Sequence, residues 1–205
     1  MNLDLPQAES DLQNKFDRAI RKNARPSWRG VPMLKFPSDI VMYQMAIFEK
    51  KPDFIIEIGT AWGASALMFA DFLAMNGKGE VITIDPNPRV ELINNPKVIM
   101  IRGGSTDEYT LETVKRLVRG KTVMVSIDGD HSYEQVTKDL EAYKDIVTPG
   151  QYMVAEDNYA KGESQPAVRA LEDFLEKYPR RFRLTRFDKP FLVGLTKNGW
   201  VIRRK

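Results

Sequence analysis

Five short apolar runs recur along the chain: DFIIEIG (residues 53–59), GEVITID (79–85), KVIMIRGG (97–104), KTVMVSID (121–128) and GQYMVAED (150–157). Each reads as a strand buried on both faces. The segments between and after them place apolar residues three and four apart. Leu67, Ala70 and Leu73 share one helical face, as do Leu111, Val114 and Leu117. Tyr133, Val136, Leu140, Tyr143 and Val147 mark a third helix, and Val168, Leu171, Leu175 and Tyr178 a fourth. Strands alternating with helices dictate an α/β fold, a doubly wound and mainly parallel sheet with helices on both faces. The tail, RFRLTRF followed by PFLVGLTKNGWVIRR, offers two short strands with no helix between them. It is expected to add an antiparallel edge hairpin and bring the sheet to seven strands.

With 205 residues there is room for one domain and a small appendage. Residues 1–37 read as a helical lead-in that serves as a lid or a subunit contact, the latter giving a homo-oligomer, and residues 38–205 as the main domain. The lead-in loop RPSWRGVPMLKFPSD is punctuated by proline. Trp28 within it either takes part in that contact or packs the loop onto the domain. A helix is expected from Ser38, capped by Ser38 or Asp39, with Ile40, Val41, Tyr43, Ile47 and Phe48 on its apolar side.

The absence of cysteine excludes disulfides, thiolate nucleophiles and the usual structural zinc sites. The polar N-terminus lacks the apolar core of a secretory signal, and no window approaches a membrane span, so a cytoplasmic location with no membrane partner is expected. A net charge of +3 does not imply nucleic acid. The basic residues near the C-terminus, without interleaved aromatics, read as a solvated face.

In a sheet of this kind ligands bind outside the carboxyl ends of the strands, where strand order reverses. The five runs end in Glu57 and Gly59, in Asp85, in Gly103, Gly104 and Ser105, in Asp128, and in Glu156 and Asp157. All of these fall on one edge. The first turn, EIGTAWGAS, has Gly59 and Gly63 but lacks the middle glycine of the dinucleotide fingerprint, and it lacks the lysine of a phosphate-binding loop. A nucleoside without phosphate suits it better. Asp85, at the end of the second run, is placed to accept hydrogen bonds from both ribose hydroxyls, and S-adenosylmethionine is a ligand of that description.

EIGTAWGASAL, VITIDPNPR, GGSTDE, IDGDHSYEQV and TPGQYMVAEDN, together with the upstream WRGVPMLKFPSD, resemble the successive motifs of the cephalosporin hydroxylase and rhamnosyl O-methyltransferase family, whose members are Rossmann-like, S-adenosylmethionine-dependent and metal-dependent. The resemblance covers roughly residues 27 to 178. It implies cofactor roles for Glu57, Gly59, Thr60, Gly63, Ser65, Asp85, Ser105 and Asp128. It also implies a divalent metal, usually magnesium, on Asp128, Glu156 and Asp157, and a catalytic base at His131. The chain departs from the family in having Ala64 after Gly63 and a shorter segment after Asp157, so the acceptor is not transferred with the motifs.

The residues themselves agree with that site. Three carboxylates without a thiolate form a hard oxygen site for magnesium or another hard divalent cation. Such an ion would acidify an acceptor hydroxyl and hold it in line with the sulfonium methyl, and a histidine could take the released proton. His131 is the only histidine, which excludes the two-histidine iron site of an oxygenase. The expected activity is O-methyl transfer to a small-molecule or sugar hydroxyl. A non-catalytic S-adenosylmethionine-binding protein and a nucleic-acid methyltransferase using the basic C-terminus are the alternatives, and His131 as an ion-paired loop residue beside Asp128 and Asp130 is the alternative at that position.

Overall fold

The computed structural model describes residues 11–12, 14–15, 18–19, 26–90, 93–157, 166–191 and 193–205. A two-stranded antiparallel ribbon, β1 (Ser27–Trp28) with β2 (Val31–Pro32), precedes the first helix, α1 (Pro37–Lys50). The main sheet then alternates with helices: β3 (Phe54–Ile58), α2 (Ala64–Met75), β4 (Glu80–Asp85), β5 (Val98–Arg102), α3 (Glu108–Leu117), β6 (Val123–Ile127), α4 (Tyr133–Tyr143), β7 (Tyr152–Ala155) and α5 (Pro166–Lys177). Two last strands, β8 (Phe182–Leu184) and β9 (Trp200–Arg203), complete it.

Strand order is β5-β4-β3-β6-β7-β9-β8, with β3 through β7 parallel and β9 antiparallel to both of its neighbours. The seven-stranded doubly wound sheet expected from the alternation is therefore present. The C-terminal pair also forms, with β9 inside the sheet and β8 at its edge. Strands β3 and β6 are buried at every residue, which is why they carry no polar alternation. One apolar layer, with Ile56, Val125, Leu140 and Phe174, fills one face of the sheet. The other face is filled by Tyr43, Ile55, Phe69 and Trp200. Tyr43 packs between Phe69 and Trp200, with ring centroids 4.8 Å and 5.0 Å away.

The first helix corrects part of the sequence reading. Its buried stripe is Met42, Tyr43, Ala46 and Ile47, while Val41 and Phe48 face outward. It begins at Pro37, and Asp39 accepts from the Phe36 amide at 3.1 Å. The same buried carboxylate also accepts from the Leu195 and Thr196 amides, tying the loop before β9 to α1. Trp28 settles onto the domain: its indole donates to Asp71 at 2.8 Å and its ring meets Phe72 edge-on. Of the remainder of the helical lead-in, residues 1–10, 13, 16–17 and 20–25 lie outside the described residues. No helix among the described residues is long and apolar enough to cross a membrane.

Candidate active site

Strand order reverses between β3 and β6, and a cavity of about 770 Å³ opens there at the carboxyl ends. Gly59 makes the junction possible. Its φ is +99°, and a Cβ placed on it would lie 2.1 Å from the Asp128 carbonyl oxygen. The two strand ends thus touch backbone to backbone, and the turn that follows β3 is held against the turn that follows β6.

On one side of the junction the turn Thr60–Gly63 is fastened from below by Asp85. The Thr60 and Ala61 amides both donate to Asp85 Oδ2 at 3.0 Å, and the Asn87 amide donates to Oδ1 at 2.8 Å. A carboxylate offers about four acceptor positions, so Asp85 keeps capacity for a ligand hydroxyl while already holding the turn. Thr60, Ser65, Asp85 and Ser105 line the cavity as expected. Glu57 and Gly63 do not. Glu57 is fully buried beneath the floor, where Thr83 donates to its Oε2 at 2.6 Å and Thr60 shares a hydrogen bond with Thr83. Gly63 instead turns the chain into α2 at φ +82°, against Ile93.

Burial pushes the Glu57 carboxyl from 4.5 up to about 7, against the pull of hydrogen bonds from Ser65 and Thr83. A raised carboxyl pKa means that the folded state binds this proton more tightly than the unfolded chain does. Its contribution is complete below about pH 4.5 and is lost as pH rises through about 7, amounting to roughly 3 kcal/mol. Glu57→Gln is expected to flatten that component, so that urea denaturation at pH 5 and pH 8 differs less in the variant than in the parent. An identical pH dependence in both would refute the assignment.

The far end of the cavity is closed by Ser105, Gln135 and Asp139. Ser105 donates to Asp139 Oδ1 at 2.5 Å, and Gln135 donates to the same oxygen at 3.1 Å. The other oxygen, Asp139 Oδ2, is buried with no hydrogen-bond partner among the described residues. Burial raises the carboxyl pKa of Asp139. Nothing in the spacing of α4 announced this residue, which lies mid-helix on a face otherwise read as core.

Across the junction Asp128, His131 and Asp157 meet at the mouth. His131 Nε2 lies 3.2 Å from Asp157 Oδ2 and 3.9 Å from Asp128 Oδ1. Asp130 is separate: it accepts from the Ser132 amide at 2.8 Å at the head of α4, and that bond holds its carboxyl below the ordinary range. His131 makes its ion-pair contacts with Asp157 and Asp128, and it acts on Asp130 through its charge alone.

Glu156 departs from the expected ligand set. It is almost completely buried, one layer below the mouth, and it is engaged by Lys35, whose ammonium donates to Oε1 at 2.8 Å and Oε2 at 2.7 Å. The same ammonium reaches Asp128 Oδ2 at 2.9 Å. Tyr43 and Ser126 donate to Glu156 Oε1 as well, at 2.7 Å and 3.0 Å. Burial alone would lower the Lys35 pKa, but Asp128 and Glu156 outweigh it and hold the group charged. Among the described residues, no group of three or more His, Cys, Asp and Glu side chains is arranged to hold a metal ion. Lys35 escaped the sequence reading, although one lysine inside the apolar run VPMLKF was a visible anomaly.

The family model for rhamnosyl O-methyltransferase/CmcI matches residues 21–204. The chain belongs to the rhamnosyl O-methyltransferase/CmcI family. A rhamnosyl O-methyltransferase of Mycobacterium leprae is 28% identical over 192 residues, covering 87% of this chain and 83% of that protein. Its counterpart in Mycobacterium tuberculosis is 27% identical over 195 residues, covering 87% and 78%. Among solved structures, CmcI with magnesium and S-adenosylmethionine has a TM-score of 0.68 at 19% identity, over 92% of this chain and 84% of that one. The mycinamycin methyltransferase MycE, in complex with magnesium, S-adenosylhomocysteine and mycinamycin VI, has a TM-score of 0.55 at 18% identity, over 80% and 48%. Membership in this family extends across the lead-in as well as the sheet, so Lys35 and Trp28 fall within the matched region.

Proposed function

We propose that the chain transfers the methyl group of S-adenosylmethionine to a hydroxyl of a sugar or other small molecule, assisted by a divalent cation, magnesium being the one bound in its structural relatives. The observation that carries this reading is the division of one cavity into two ends at the β3–β6 junction. Asp85, Thr60, Ser105 and Asp139 stand at one end, and Asp128, His131 and Asp157 at the other.

The first end suits an adenosyl group. Asp85 can accept from the ribose hydroxyls while it holds the turn, and the buried, unpartnered Asp139 Oδ2 calls for a donor such as the exocyclic amine of adenine. A volume of about 770 Å³ lies in the range of cofactor sites. The second end suits a hard cation. Three carboxylates gather here around the single Lys35 ammonium, and Asp128 and Asp157 converge on His131 at the mouth, a hard oxygen pair that matches a divalent ion. Bound there, the ion would supply Lewis acidity and orientation to the acceptor hydroxyl.

The remaining work belongs to the chain's own residues. An incoming hydroxyl parts the contact between His131 and Asp157, and His131 Nε2 then takes its proton. Asp128, fixed from below by Lys35 and through its backbone by Gly59, keeps the reacting oxygen in register with the cofactor end. The rim carries Trp62 and Arg89, with the guanidinium 4.5 Å from the indole centroid, which gives a flat surface for an acceptor.

The cofactor assignment is tested by calorimetry. Asp85→Ala is expected to weaken S-adenosylmethionine binding by about 1.5–3 kcal/mol, the scale of hydrogen bonds to a charged group. Part of that loss comes from the Thr60 and Ala61 amides that Asp85 holds. Unchanged affinity would remove Asp85 from the ribose site. Transfer of a labelled methyl group to sugar hydroxyls tests the reaction itself, and tight cofactor binding without any transfer would favour the non-catalytic binding protein.

A further inference from the structure

We infer that Lys35 is the permanent cation of this site, and that Glu156 serves to hold Lys35 in place and not to bind the divalent ion. The inference rests on the metal-assisted reading above and changes its ligand set. An ammonium has three N–H donors, and Lys35 has three carboxylate oxygens to receive them: Glu156 Oε1, Glu156 Oε2 and Asp128 Oδ2. Its side chain is 2% exposed, so water does not supply an alternative partner.

Glu156 is equally occupied. Oε1 receives Lys35, Tyr43 and Ser126, and Oε2 receives Lys35, so the ammonium holds both oxygens of the carboxylate. An ion that took Glu156 as a ligand would compete with the ammonium for the oxygen it bound and would stand beside a buried positive charge, with repulsion added to lost pairing. Asp128 Oδ1 and Asp157 Oδ2 face His131 at the mouth instead, and both side chains are partly exposed. The acids of this site are thus sorted by depth. The deep one neutralises a lysine, the outer two face the mouth where the ion would enter, and Asp128 reaches both levels through its two oxygens.

The sorting is built by the lead-in. Lys35 lies between β2 and α1, in a segment tied back by the Met33 amide to the Pro26 carbonyl at 2.7 Å, and Tyr43 comes from α1 itself. The carboxyl ends of β6 and β7 therefore receive their first positive charge from residues outside the alternating sheet.

Manganese is the probe, used on the full chain. In crystals of the parent protein soaked with Mn²⁺, anomalous scattering should place the ion against Asp128 and Asp157, with Lys35 still within hydrogen-bonding distance of Glu156. An ion ligated by Glu156, with Lys35 displaced, overturns the inference and leaves the metal-assisted reading standing. In solution Lys35→Met frees Glu156 and the second Asp128 oxygen, so Mn²⁺ should bind at least about tenfold more tightly and raise the melting temperature more than in the parent. An affinity equal to the parent's in a folded Lys35→Met protein also overturns it, and if that variant does not fold, the position of the ion in the parent crystal decides. A parent protein that takes up no Mn²⁺ would sink the metal-assisted reading and this inference together.

Discussion

His131→Ala is expected to lower turnover by roughly 100- to 10,000-fold, the range set by general acid and base catalysis, while cofactor affinity stays near that of the parent. The geometry makes the separation sharp. His131 Nε2 faces only the mouth, 3.2 Å from Asp157 and 3.9 Å from Asp128, and it touches none of the residues at the Asp85 end of the cavity. No other histidine exists to replace it. A variant that keeps near-normal turnover would return His131 to the role of a loop residue paired with Asp157.

Removal of divalent ions should have the largest effect of all. A chelator is expected to abolish methyl transfer, and added magnesium to restore it, with most of the S-adenosylmethionine affinity intact throughout. The charge balance at the mouth is the reason: without a cation, Asp128 and Asp157 present like charges where the acceptor oxygen must lose its proton. The Lys35 ammonium does not substitute, because its three donors are taken by the two oxygens of Glu156 and by Asp128 Oδ2. Full turnover in metal-free buffer would leave positioning by the chain as the whole of the catalysis.

How far the sequence led depends on the range over which each signal acts. Strands β3, β4, β6 and β7 are legible because burial on both faces writes a continuous apolar run, the edge strand β5 keeps the same apolar run with only partial burial, and the polar ends of all five point to one edge of the sheet. The helix after β1 and β2 was legible in position but not in orientation. Val41 and Phe48 look like core residues in isolation, and only the packing of α1 on Phe69 and Trp200 selects Met42, Tyr43 and Ile47 instead. Lys35 and Asp139 were missed for a related reason. Lys35 finds its partners 93 and 121 residues away, and Asp139 meets Ser105 across 34. No local pattern encodes such meetings. Glu57 shows the opposite error. Its place near a strand end was right, yet Glu57 still lies within β3 and is buried below the cavity, while Gly59 and Thr60, in the turn beyond the strand, line it.

The anchoring of Trp28 on Asp71 and Phe72 bears on where this protein can be cut. A chain begun at Ser38 would retain all seven strands of the main sheet and, but for Pro37, the helices from α1 to α5. It would nevertheless take the Lys35 ammonium away from Asp128 and Glu156, at the point where two parallel strands end side by side. Trimming at that boundary keeps the main sheet yet makes the acid cluster more repulsive, so a shortened chain is expected to need the segment that carries Lys35.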